Sequence, residues 1–135
     1  EFCLRLDCAK AAHEAGPYHF HDEGQGKVAG DPLLFGDVVI ARKDTPTSYH
    51  LAVTVDDHLQ GVTLVTRGED LLPSTHVHVL LQKLLGYETP GYAHHKLLTD
   101  PSGRRYAKRD RALTLHALRD SGKTPEEVLA LVGGA

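Results

Sequence analysis

Apolar and polar positions alternate at the start of the chain. Phe2, Leu4 and Leu6 fall on one side and Cys3, Arg5 and Asp7 on the other, the period of a half-buried strand. From Gly16 to Pro32 the pattern dissolves into a glycine-punctuated stretch around His19-Phe20-His21, which reads as loop. It returns at Val38-Val39-Ile40-Ala41, a short buried strand. Lys43 to Ser48 reads as a turn, with Thr45 held extended by Pro46. Between Tyr49 and Gln60 two signals compete. Leu51, Val55 and Leu59 recur every four residues, as on a helix face, whereas the β-branched Val53, Thr54 and Val55 suit a strand. The helix is the preferred reading, with Gly61 as its stop.

Val62 to Thr66 follows as a core strand running into Arg67-Gly68-Glu69-Asp70. The clearest helix spans about Ser74 to Leu85, because Val77, Leu80, Leu81, Leu84 and Leu85 form an apolar stripe at helical spacing. Ser74 or Thr75 is expected to cap its start and Gly86 its end. A strand around Tyr92 to Leu98 precedes a basic loop, and two short helices close the chain, at about Leu113 to Asp120 and Pro125 to Val132. Thr124-Pro125-Glu126-Glu127 is a capping box with proline at the first helical position. Strands alternating with helices predict an α/β fold with a parallel sheet and a small C-terminal helical appendage. Ligands collect at the carboxyl ends of such strands, here Arg67 to Asp70 and the loop Asp100 to Arg111.

Charge and composition narrow the chemistry. The net charge of −3 over 135 residues excludes a generally basic coat for nucleic acid, so any RNA contact must come from a local patch. The loop from Asp100 to Arg111 is such a patch, with Arg104, Arg105, Lys108, Arg109 and Arg111 against Asp100 and Asp110. It suits phosphates, and equally a solvated charged turn. Arg67, after a buried strand, could pair with a ligand carboxylate or with Asp56, Asp57, Glu69 or Asp70. Tyr49 could offer a hydroxyl or merely pack. Of the ten histidines, His76 and His78 lie on different helix faces, and Cys3 and Cys8 lack zinc spacing, so no metal site is expected. Apolar runs are too short to span a bilayer, and the two cysteines read as reduced thiols. A cytoplasmic, membrane-free protein is expected. The chain opens inside a strand and holds no methionine, which reads as a piece of a longer protein.

Together these segments resemble one family. Pro46-Thr47-Ser48-Tyr49-His50-Leu51-Ala52-Val53-Thr54-Val55-Asp56-Asp57-His58-Leu59-Gln60-Gly61-Val62-Thr63, followed by Val65-Thr66-Arg67-Gly68-Glu69-Asp70, resembles the core of glutamyl-tRNA synthetases. Leu97-Leu98 through Lys108-Arg109 resembles the approach to that family's Lys-Met-Ser-Lys-Ser signature. Val53 stands where enzymes of ordinary specificity usually carry Asn. That position, with Arg-Leu-Asp near the start and the short helical end, is closer to the glutamyl-Q tRNA(Asp) branch.

The resemblance implies the second half of a Rossmann-like class I synthetase catalytic domain. Residues 1–100 would be the half-domain, and residues 101–135 the signature loop and helical end. It implies an ATP-dependent ligase, with Mg²⁺, that activates glutamate and transfers it to queuosine in the anticodon region of tRNA(Asp). Tyr49 and Arg67 would contact glutamate. Arg105-Tyr106-Ala107-Lys108-Arg109 would be the ATP-binding signature loop, and Lys108 its catalytic residue. Ala107 replaces a serine and removes one hydroxyl. The family's first signature, His-Ile-Gly-His or a variant, is absent, and the zinc-binding insertion of many glutamyl-Q enzymes would precede Glu1. The piece alone is therefore expected not to activate glutamate, and its open half-sheet to favour self-association. Two alternatives remain: a fragment of an ordinary glutamyl-tRNA synthetase charging tRNA(Glu), and a non-catalytic module that binds RNA or protein.

Overall fold

A computed structural model describes residues 2–99, 103 and 114–132. The chain divides into two compact units at Lys96 and Leu97. The first unit opens with β1 (Leu4–Leu6), which pairs antiparallel with β4 (Val38–Ala41) in a two-stranded sheet. Phe2 and Leu4 are exposed there, so the alternation at the start of the chain does not bury a full face within this unit. Between these strands, α1 (Cys8–Ala15) begins where the Asp7 carboxylate accepts the Lys10 N–H at 2.9 Å. It turns Cys8 and Ala11 into the core.

The stretch read as loop forms a hairpin instead. β2 (His19–Asp22) and β3 (Gly26–Ala29) pair antiparallel, His19 opposite Ala29 and Asp22 opposite Gly26. Along β2 the burial alternates, with Phe20 and Asp22 inward and His19 and His21 outward. Half of the inward face is thus a carboxylate, and this hid the strand from a hydrophobic pattern.

α2 (Tyr49–Leu59) is helical, as preferred. The Ser48 hydroxyl accepts the Leu51 N–H at 3.4 Å, and Thr54 satisfies its own hydroxyl on the His50 carbonyl at 2.8 Å. β5 (Leu64–Gly68), a 3₁₀ turn (Glu69–Leu71), α3 (Leu72–Leu85) and β6 (Gly91–His95) complete a βαβ unit. β5 and β6 run parallel, with Arg67 beside His94, and β6 runs parallel to β2 at Asp22 and Tyr92. The strand order is β3-β2-β6-β5, a mixed rather than purely parallel sheet.

α3 starts earlier than its pattern suggests, with Leu71 at the N-cap and no side-chain cap. Ser74 and Thr75 lie inside it. Every residue from Thr75 to Gln82 is buried, so this helix is covered on all sides rather than along one stripe. Val77, Val79, Leu80 and Leu81 meet Phe20, Tyr92, Cys8 and Tyr18 in the core, whereas Leu85 is exposed. Gly86 ends the helix in the left-handed conformation, φ 69°.

The second unit contains α4 (Leu115–Asp120) and α5 (Pro125–Leu131). In the Thr124 capping box, the Thr124 hydroxyl accepts the Glu127 N–H at 3.2 Å and Glu127 accepts the Thr124 N–H at 3.0 Å. No helix among the described residues is long and apolar enough to cross a membrane.

Candidate functional site

Because β2, β6 and β5 run parallel, their carboxyl ends bring Asp22, His94 and Arg67 side by side. Thr75 and His78 arrive from the first turns of α3, and His50 from α2. The polar groups meet in one connected cluster. Arg67 donates from Nε to His94 Nε2 at 3.2 Å, from one terminal nitrogen to His78 Nδ1 at 3.0 Å, and from the other to the Thr75 hydroxyl. Its guanidinium lies 5.4 Å from the centre of the Tyr92 ring, close enough for cation–π attraction.

All three acceptors are neutral groups. Arginine only donates, so His94 Nε2 and His78 Nδ1 must each present a lone pair. His78 therefore carries its proton on Nε2, which faces His50 Nδ1 at 3.1 Å. Burial first, then the charge of Arg67 and the neighbouring His50, pushes the His78 pKa down to about 3. Burial and Arg67 lower that of His50 as well. Among the described residues no carboxylate lies within ion-pair distance of Arg67. Of the internal partners foreseen for it, Asp57 feels the Arg67 charge through space, but neither it nor Asp56 or Glu69 comes within ion-pair distance. Of a guanidinium's five N–H groups, three are engaged, which leaves two donors and a positive charge for an incoming carboxylate.

Tyr49 opens α2 and is half-exposed, at 51%. Its ring stands edge-on to His78, with centroids 5.5 Å apart. It shares His78 with Arg67 as a neighbour, and its hydroxyl points to no described partner. Beside it an open groove of about 870 Å³ runs from Tyr49 and His50 past Val39 to Phe35, Arg42 and Lys43. Arg105, Tyr106, Ala107, Lys108 and Arg109, the predicted signature loop, lie outside the described residues. Reading the sequence missed Asp22, Thr75, His78 and His94. The histidines drew notice only as metal pairs, although a histidine inside an apolar helix or at a strand's end needs a polar partner. No cluster of His, Cys, Asp and Glu among the described residues is arranged to hold a metal ion.

The chain matches the family described as tRNA synthetases class I (E and Q), catalytic domain, over residues 1–133. It is 45% identical over 135 residues to the glutamyl-Q tRNA(Asp) synthetase of Rhodobacter capsulatus, covering 96% of this chain and 48% of that protein. With the glutamyl-Q tRNA(Asp) synthetase of Geobacter sulfurreducens the identity is 51% over 107 residues, covering 78% of this chain and 34% of that protein. The crystal structure of a glutamate tRNA ligase from Elizabethkingia meningosepticum, in complex with its amino acid, superposes with a TM-score of 0.60 at 35% identity. That match covers 71% of this chain and 19% of the other. The chain thus spans about half or less of the relatives it matches. It belongs to the class I glutamyl- and glutaminyl-type tRNA synthetases and is part of their catalytic domain.

Proposed function

We propose that the protein containing this chain activates glutamate with ATP and transfers it to queuosine in the anticodon region of tRNA(Asp). The observation that carries the glutamate half is Arg67, fixed by three neutral acceptors with two donors left over. The branch is supported by identities of 45% and 51% to two glutamyl-Q tRNA(Asp) synthetases, against 34% and 39% to two glutamate–tRNA ligases compared in the same way.

In this reading Arg67 pairs with a glutamate carboxylate, and Tyr49, at the mouth of the same cluster, hydrogen-bonds nearby. A carboxylate oxygen of glutamate attacks the α-phosphorus of ATP, the bond to the β-phosphate oxygen breaks, and pyrophosphate leaves. Lys108, with Arg105 and Arg109 of the signature loop around Tyr106 and Ala107, neutralises charge on the departing phosphates. A queuosine hydroxyl oxygen then attacks the acyl carbon, AMP leaves with the electron pair, and the hydroxyl proton passes to solvent. Positioning and charge neutralisation supply most of such catalysis. Among the described residues, no group of carboxylates, histidines and cysteines forms a ligand set for Mg²⁺ or zinc.

The test is glutamate transfer by the full-length protein to tRNA(Asp) prepared with and without queuosine. Labelled glutamate appears only on the queuosine-containing RNA, and still appears when the 3′-terminal adenosine has been removed from that RNA. Charging of tRNA(Glu) at its terminal adenosine would instead identify an ordinary glutamyl-tRNA synthetase.

A further inference from the structure

The proton arrangement around Arg67 is dictated from the far side of the cluster. Asp22 ends β2 with its side chain 1% exposed. One carboxylate oxygen, Oδ1, accepts the backbone N–H of Gly24 at 2.9 Å and of Gln25 at 3.1 Å. The other, Oδ2, lies 2.5 Å from His94 Nδ1. Burial raises the Asp22 pKa, but the hydrogen bonds from His94, Gly24 and Gln25 outweigh it and hold the carboxyl below its ordinary value. An ionised carboxylate only accepts, so His94 donates from Nδ1 and keeps its lone pair on Nε2. That lone pair meets Arg67 Nε at 3.2 Å, and the Thr75 hydroxyl lies 3.1 Å from the same nitrogen.

We infer that Asp22 and His94 are positioning residues for Arg67: the carboxylate sets the imidazole tautomer, and the imidazole sets the rotation at which the guanidinium offers its free donors. His78 makes the matching contact from the other side, and the Thr75 hydroxyl touches both Arg67 and His94. A carboxylate orienting an imidazole that acts on a third group is a recurrent arrangement in active sites and around metals. Here the oriented group is a substrate-binding cation. The inference rests on the reading of Arg67 as the glutamate ligand, and its test separates the two.

Asp22→Asn is the informative variant because its geometry has one solution. The Gly24 and Gln25 N–H groups retain the amide oxygen, so the amide nitrogen must face His94. The imidazole then accepts at Nδ1 and carries its proton on Nε2, donor against donor with Arg67. In the full-length protein, ¹⁵N-imidazole NMR should show His94 protonated on Nδ1 in the wild type and on Nε2 in the variant. His94→Gln identifies the resonances by their loss. Asp22→Asn should raise the glutamate KM in ATP–pyrophosphate exchange roughly 10- to 100-fold, as loss of an orienting partner does elsewhere, and leave the ATP KM in place. His94→Gln, whose amide can donate to Asp22 and accept from Arg67, should retain most of the glutamate affinity that His94→Phe loses. This pair decides the matter if Asp22→Asn does not fold. An unchanged tautomer, or glutamate and ATP KM values that move together, overturns the inference. If Arg67→Ala keeps a wild-type glutamate KM, the substrate reading falls instead, and the tautomer measurement alone then decides the positioning role.

Discussion

At Arg67 the decisive fact is the neutrality of its partners. His78 can accept from Arg67 only while unprotonated, and its burial beside Arg67 and His50 holds its pKa at about 3, against 6.5 for an ordinary imidazole. Between those values the unfolded chain binds a proton that the folded chain refuses. The contribution of His78 is therefore complete above pH 6.5 and lost progressively as the pH falls toward 3. His50, also lowered, acts in the same sense. Asp22, whose pKa lies below 3.8 in the fold, adds a further loss as the pH falls below about 3.8. Denaturant unfolding should show stability lower by about 2 kcal/mol at about pH 5 than at about pH 7.5 from His78 alone. His78→Asn should flatten that dependence by about one proton, and an identical slope in the variant would refute the assignment. Arg67 was legible in the sequence as a cation near a strand's end, although it lies within β5 and, contrary to the expected core strand, no residue of β5 is buried. Its partners were not, because Asp22 and His94 stand 72 residues apart and meet only through the parallel register of β2 and β6.

Among the elements, α2, α3 and β5 all appear close to where the pattern put them, α2 through its four-residue apolar spacing and against its β-branched run. The hairpin β2–β3 was not, since Asp22 takes an inward position for hydrogen bonding rather than hydrophobicity. The start of α3 was misplaced for a related reason: Thr75 resembles a cap but serves as an acceptor for Arg67 within the buried helix. The hairpin's close packing gives its own test. A methyl at Gly30 would sit 2.1 Å from the Tyr18 ring, and Tyr18 is pinned by its hydroxyl donating to the His76 carbonyl at 2.8 Å. Gly30→Ala should therefore destabilise the fold by about 1–3 kcal/mol, read as a lower denaturant midpoint. Gly24→Ala, whose new methyl would meet only the Asp22 carboxylate at 3.3 Å, should cost less. Equal effects would argue against Tyr18 as the obstacle.

For the whole molecule, the family was legible because long runs of the chain carry its pattern, and the match extends over residues 1–133. The arrangement of Tyr49, His50, His78 and Arg67 was not, because it depends on packing between α2, α3 and β5. The proposed substrate activation is to be tested on the full-length protein, since this chain covers 48% and 34% of two glutamyl-Q relatives. The most direct test of the account is therefore glutamate-dependent ATP–pyrophosphate exchange by that protein, with Arg67 intact and with Arg67→Ala. If Arg67 pairs with the substrate carboxylate as proposed, removing this half-buried cation should lower kcat/KM for glutamate on the order of 100-fold, with the ATP KM little changed. Undiminished glutamate-dependent exchange in Arg67→Ala would contradict the central claim.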